Sequence, residues 1–374
     1  MKSTKPFLLF FSAIIALSSC NTKINRESTA STSLKNAFNG DFYIGTALDE
    51  NQINERNPVT TSLIGKEFNS ITPENIMKSM FVQPEKDQFN FNMTDKYVAF
   101  GEKHNMFIHG HTLIWHSQLA PWMTKIKDSA SMANMMTTHI STVVKRYKGR
   151  IDSWDVVNEA LNEDGTLRKS VFLNTYGKDF LTLAFKTAAK TDPEVDLYYN
   201  DYNLCDPKKR KGAVELVKNL QKSGAKIDGV GEQGHWNLKT PSLEQIEQTI
   251  LDFSALGVKV AFSELDITVL PSPWELVGAD VNQKFKNSEK MNPYPKTLPD
   301  SIEVQLTERY QSIFKLFLKH KDKISRVTFW GVNDSQSWLN DWPIKGRTNY
   351  PLLFDRDFKP KKAYDSMISL KANK

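Results

Sequence analysis

Cysteine is nearly absent from this chain: Cys20 and Cys205 are the only two in 374 residues. With Cys20 in an N-terminal segment of its own, no intrachain disulfide is expected in the mature protein. No apolar run is long enough to cross a bilayer as a helix. No charge sign dominates, since 49 basic residues face 43 acidic ones and the net +6 is scattered without a basic stripe. Nucleic acid is therefore not an expected partner. No Gly-rich phosphate loop follows the first strand-like run, and no His/Cys cluster has metal-ligand spacing, so neither a metal nor an organic cofactor is expected. Beyond position 42 there is no repeat and no low-complexity tract. What is present is ordinary globular composition, 40% hydrophobic and 25% charged, with a surplus of aromatics that includes eight Trp.

The N-terminus reads as a targeting segment over residues 1–19. Lys2 and Lys5 precede an eleven-residue apolar run from Phe7 to Leu17, too short to span a membrane and suited to a secretory signal. Leu17-Ser18-Ser19-Cys20 resembles the lipobox of bacterial lipoproteins, which implies lipidation at Cys20. The alternative is a plain cleaved signal. Residues 20–35 are polar and aperiodic, a spacer between anchor and domain. The expected location is the cell envelope, periplasmic or at the outer surface, with the membrane touched only through the lipid.

One catalytic domain is expected over 36–372. Apolar or β-branched runs recur at 42–48, 68–72, 107–115, 151–157, 196–202, 229–232, 258–264 and 327–332, with helical stretches between. One helix is explicit: Leu243, Ile246, Ile250 and Phe253 share a face, Ser242 and Gln245 form a capping box, and Gly257 closes the end. A second, over 211–223, sets Val214, Val217 and Leu220 at helical spacing. Alternating strands and helices indicate parallel β/α units, and eight of them an α/β fold of the (β/α)8 TIM barrel type. An open doubly wound sheet is the rival. About 35 residues from Thr268 on hold five Pro and little periodicity; so long a loop suits a functional element over the barrel mouth.

The chemistry gathers at the strand ends, where barrel enzymes carry their active sites. These ends read Thr72-Pro73-Glu74-Asn75, Gly110-His111-Thr112, Val157-Asn158-Glu159, Tyr199-Asn200-Asp201-Tyr202, Glu232-Gln233-Gly234-His235, Ser263-Glu264-Leu265-Asp266 and Phe329-Trp330. Carboxylates, amides, His and Trp converging there suit an uncharged, hydrogen-bonding substrate such as a polysaccharide. Two carboxylates suffice for glycoside hydrolysis. Asp155 and Asp201 read instead as helix caps or salt-bridge partners, and His116 as structural.

At this point the blocks form a known pattern. T-P-E-N-I-M-K, G-H-T-L-I-W-H-S-Q, W-D-V-V-N-E-A, Y-N-D-Y-N, G-V-G-E-Q-G-H-W, S-E-L-D-I, T-F-W-G-V-N-D-S-Q-S-W-L and P-L-L-F-D stand in this order between 42 and 364. The domain resembles the glycoside hydrolase family 10 xylanases. The resemblance implies retaining endo-hydrolysis of xylan and xylo-oligosaccharides by a monomer, with Glu159 as acid/base and Glu264 as nucleophile, their carboxyls about 5–5.5 Å apart. Glu159 should then have a raised pKa while Glu264 is charged nearby. His235 would bridge Glu264 and Asp266, and Asn158 would hold the sugar 2-hydroxyl. Glu74, Asn75, Lys78, His111, Trp115 and Gln118 would form the glycone side, with Glu74 and Lys78 on one face if a helix starts there. Trp330 and Trp338 would cover the proximal sugars and leave no room for a hydroxymethyl group. Asn200 and Gln233 would bond near the two Glu, and Tyr202 would be an aglycone-side aromatic.

The chain departs from the family pattern at Ser79, where an aromatic is frequent, and in the loop after Ile267. Two other functions stay open: a retaining β-1,4-glucanase, and a tethered glycan-binding protein without catalysis. The second expects Glu159, Glu264 or His235 to be replaced, and all three stand.

Overall fold

A computed structural model describes residues 33–272 and 289–372. The signal segment, Cys20 and the spacer up to residue 32 lie outside the described residues, as does 273–288 of the long interval after the seventh strand. Ten strands occur in chain order: β1 Tyr43–Leu48, β2 Ser70–Pro73, β3 Phe107–Gly110, β4 Ile114–Trp115, β5 Ser153–Asn158, β6 Asp196–Asp201, β7 Gly229–Glu232, β8 His235–Asn237, β9 Lys259–Thr268 and β10 Ile324–Phe329. Every pairing between them is parallel, running β1, β2, β3, β5, β6, β7, β9, β10, and β10 pairs back with β1. The result is a closed eight-stranded barrel, not an open sheet. The short β4 lies on β5, and the short β8 on β9.

The strands are largely buried on both faces, as parallel strands of a barrel are. Every residue of β5 is buried, as is all of β7. Gly110 shows how tightly the interior fills: a Cβ there would stand 2.1 Å from the Trp154 ring. The outer layer is amphipathic helix. Leu243–Ser254 carries the capping box between Ser242 and Gln245 and buries Ile246, Ile250 and Phe253. The helix expected over 211–223 spans Pro207–Lys222, because Asp206 caps the Lys208 and Lys209 N–H groups and Pro207 suits the first turn.

Three local expectations are corrected. The third run breaks after Gly110 and resumes at Ile114. The eighth ends at Phe329, before the Trp330-Gly331 turn. No helix begins at Glu74; residues 74–78 are turn, and a short helix follows over Ser79–Val82 with Lys78 as its N-cap. Pro73 is the last residue of β2, and the chain turns before it coils.

Candidate active site

The site is assembled by strand register. Glu264 and Asp266 lie two apart on β9, so they point to one face, and His235 on β8 is registered opposite Asp266. The imidazole fills the space between the two carboxylates: Nδ1 is 3.0 Å from Asp266 Oδ1 and Nε2 is 3.1 Å from Glu264 Oε2. Burial alone would lower its pKa, but the carboxylates outweigh this and push it up to about 10. His235 is thus an imidazolium donating at both nitrogens. The other oxygen of Glu264 accepts from Asn200 Nδ2 at 2.9 Å, and Ser263 Oγ donates to Asn200 Oδ1 at 2.6 Å, which fixes the amide. Burial would raise Glu264; the bond from His235, the nearby His111 ring and the Asn200 bond together hold it below its ordinary value. Asp266 Oδ2 accepts from the Trp338 indole at 2.8 Å.

Glu159 follows the last residue of β5 and has a left-handed backbone, φ 55°. Its N–H donates to the Asn200 carbonyl at 2.8 Å, its carbonyl accepts from Arg168 Nε at 3.1 Å, and its Oε1 accepts from Gln233 Nε2 at 3.1 Å. Asn200 Nδ2 is also 3.0 Å from the Asn158 amide. Asn158, Asn200 and Gln233 therefore connect the surroundings of the two glutamates. All three are buried.

On one flank the Lys78 ammonium lies 4.8 Å from the Trp115 ring centre and donates to Asn75 Oδ1 at 2.8 Å. Burial lowers the Lys78 pKa against the fields of Glu264, Glu74 and Glu159, and burial raises that of half-buried Glu74. His111 is held by Asp155, Nδ1 to Oδ2 at 2.9 Å, and meets Trp330 edge-on at 5.7 Å. Trp330 and Trp338 both approach His235, at 6.3 and 4.9 Å between ring centres. Gln118 stands apart: it is exposed, and among the described residues its side chain makes no hydrogen bond into this network. On the opposite flank the Tyr202 hydroxyl accepts from Arg168 Nη2 at 2.8 Å, and the Lys209 ammonium sits 3.3 Å from the Tyr202 ring centre.

Several residues at the site carried no signal as site residues in the sequence. Asp155 pairs inside the barrel, as one of its two sequence readings had it: His109 reaches it at 2.9 Å as His111 does, and Arg326 reaches His109 at 2.9 Å. Arg168, Ser263 and Lys209 were missed. Position at a strand end could have flagged Ser263. Arg168 lies in a polar loop and Lys209 in a Lys/Arg-rich helix start, where nothing sets them apart. His116 is half-buried beside Trp115, and burial lowers its pKa.

A carboxylate kept ionised by an imidazolium, a second carboxyl just past the end of β5 and a rim of indoles at the C-terminal mouth of a barrel define a glycoside hydrolase. The Glycosyl hydrolase family 10 profile matches residues 33–370, and the chain belongs to that family. It is 43% identical over 342 residues to Endo-1,4-beta-xylanase A of Xylanibacter ruminicola, spanning 90% of this chain and 93% of that protein. It is 38% identical to the Endo-1,4-beta-xylanase of Geobacillus stearothermophilus, over 90% of this chain and 98% of that one. A solved GH10 endoxylanase retrieved from a sugarcane soil metagenome aligns with TM-score 0.86 and 44% identity, over 91% of this chain and 99% of that chain.

Proposed function

We propose that this protein is a retaining endo-1,4-β-xylanase. The observation that carries the reading is Glu264, buried yet held charged between His235 and Asn200 with its pKa lowered. An ionised, oriented carboxylate at this place suits attack on an anomeric carbon. In the first step Glu264 forms the glycosyl ester while Glu159 gives its proton to the departing oxygen. In the second, Glu159 takes a proton from water, which attacks the ester and restores Glu264 with the original configuration.

Asn158 would hold the sugar 2-hydroxyl. Glu74, Asn75, Lys78, His111, Trp115 and Gln118 would take the glycone sugars, and Trp330 and Trp338 would cover the proximal ones. Asn200 and Gln233 would steady the two glutamates, and Tyr202 would meet the aglycone side. The names of its relatives favour xylan over β-1,4-glucan. A secretory signal at 1–19, with lipidation at Cys20, would tether a monomeric enzyme in the cell envelope. The LSSC sequence supports the anchor.

Three measurements test this reading. The purified full chain on soluble xylan should release short xylo-oligosaccharides, far faster than it releases anything from cellulose. Proton NMR of the first product should show the β-anomer; an initial α-anomer would mean inversion and end the proposal. Labelled palmitate should enter the wild-type chain and not Cys20→Ala; label in neither would remove the lipid anchor.

A further inference from the structure

Residues 160–168 leave β5, fold back on themselves and return beneath the site. Leu161 and Leu167 pair antiparallel, and the Arg168 N–H donates to the Ala160 carbonyl at 2.7 Å. The return sets the Arg168 guanidinium against three acceptors. Nε donates to the Glu159 carbonyl at 3.1 Å, and Nη2 donates to the Leu161 carbonyl at 2.9 Å and to the Tyr202 hydroxyl at 2.8 Å. The guanidinium is suited to this work because its donors sit in a rigid planar fork.

Glu159 needs such a hold. A left-handed backbone is sparsely populated for a residue with a Cβ, and it persists where the surroundings over-determine it. Here both peptide groups are tied, the N–H to the Asn200 carbonyl and the C=O to Arg168. The loop that carries Arg168 is itself seated. A Cβ on Gly212 would stand 2.2 Å from the Gly165 carbonyl oxygen, so loop and helix Pro207–Lys222 meet backbone to backbone. The same helix supplies Lys209, whose ammonium lies on the face of Tyr202. One connected assembly therefore holds the backbone of Glu159 and the aromatic ring beside it.

We propose that Arg168 is a positioning residue for proton delivery: it fixes the Glu159 turn and ties it to Tyr202. The inference rests on Glu159 being the acid/base. An acid serves the leaving-group oxygen, so the leaving sugar must lie on the Glu159 flank, where Tyr202 is the half-buried aromatic. Through Arg168, the ring that meets the leaving sugar and the carboxyl that protonates it share one support.

The test compares the full chain with Arg168→Met, Arg168→Lys and Tyr202→Phe on xylohexaose and on dinitrophenyl β-xylobioside. A sugar leaving group needs the proton and dinitrophenolate needs little of it. Misplacement of a reacting group costs up to about a hundredfold. Arg168→Met should therefore lower kcat on xylohexaose by roughly ten- to a hundredfold while the aryl substrate turns over at nearly the wild-type rate. Arg168→Lys should resemble Arg168→Met, because charge without the fork does not reproduce three bonds. Tyr202→Phe, which keeps the ring and removes one acceptor, should show the same split at smaller size; it decides the matter if the Arg168 variants do not fold. Equal losses on both substrates, no loss on either, or full activity in Arg168→Lys would each overturn the inference. Glu159→Ala run alongside separates the two levels. If it lacks the leaving-group split, the acid/base reading falls; if it has the split and the other variants do not, only the role of Arg168 falls.

Discussion

The Trp338 indole N–H donates to Asp266 Oδ2 at 2.8 Å, while His235 occupies the other oxygen of that carboxylate at 3.0 Å. Asp266 is buried, and with a donor on each oxygen its carboxylate is fixed in rotation. The tryptophan read in the sequence as a sugar platform is thus also the far end of a chain that runs Trp338, Asp266, His235, Glu264.

Trp338→Phe separates the two jobs, because it keeps a flat ring and removes the N–H. A hydrogen bond to a charged group is worth about 1.5–3 kcal/mol, so the variant should lose stability of that order and lower kcat/KM on xylan. Thermal unfolding and steady-state kinetics check this. Unchanged stability would leave Trp338 as a stacking surface only.

His235 makes stability depend on alkaline pH. Burial opposes its charge, but Asp266 and Glu264 raise its pKa from an ordinary 6.5 to about 10 in the folded protein. The folded state therefore holds this proton more tightly than the unfolded chain. The resulting stabilisation is complete below the unfolded value of 6.5 and is lost as pH rises through about 10. Melting temperatures between pH 6 and 10 should fall more steeply for wild type than for His235→Gln. Parallel profiles would remove His235 as the source.

The two glutamates should fail differently. Glu264→Ala removes the proposed nucleophile and should abolish turnover on every substrate. Glu159→Ala removes only the proton donor, so xylan hydrolysis should fall on the order of 10²–10⁴-fold and aryl glycosides with good leaving groups far less. Azide should rescue such an aryl substrate in Glu159→Ala, because a small anion needs no general base to open the ester. Residual turnover by Glu264→Ala, with contamination excluded, would reassign the nucleophile.

The barrel and its mouth were legible because β-strands buried on both faces leave apolar runs, and each run here ends in polar residues. Glu159, Glu264, His235, Asn158, Asn200 and Gln233 come together in the structure through the registers of β5, β6, β8 and β9. What periodicity could not show was set by turns and by long-range pairing. The chain turns over residues 74–78, so Glu74 and Lys78 share no helix face. The alliance of His109, Asp155 and Arg326 joins three strands far apart in sequence. Arg168 matters through what a folded-back loop puts above it, which a polar stretch does not announce.

Lys209 illustrates the cost of such hidden pairing. Its ammonium is fully buried, 3.0 Å from buried Asp201 and 3.2 Å from Glu163. Burial pushes Asp201 up to about 6 even with Lys209 opposing it, so the folded protein binds this proton more tightly than the unfolded chain, and the contribution of Asp201 improves as pH falls from about 6 toward 3.8. Lys209→Met keeps the volume and strands the carboxylate. Breaking a buried pair in this way costs about 3–5 kcal/mol, and the full cost is expected at pH 7.5, where Asp201 must stay charged or take up a scarce proton. At pH 5 the orphaned acid can protonate and the penalty should shrink. Urea unfolding of wild type and Lys209→Met at the two pH values measures the difference. A penalty equal at both would mean that the lost packing on Tyr202, not the stranded charge, is what Lys209 supplies.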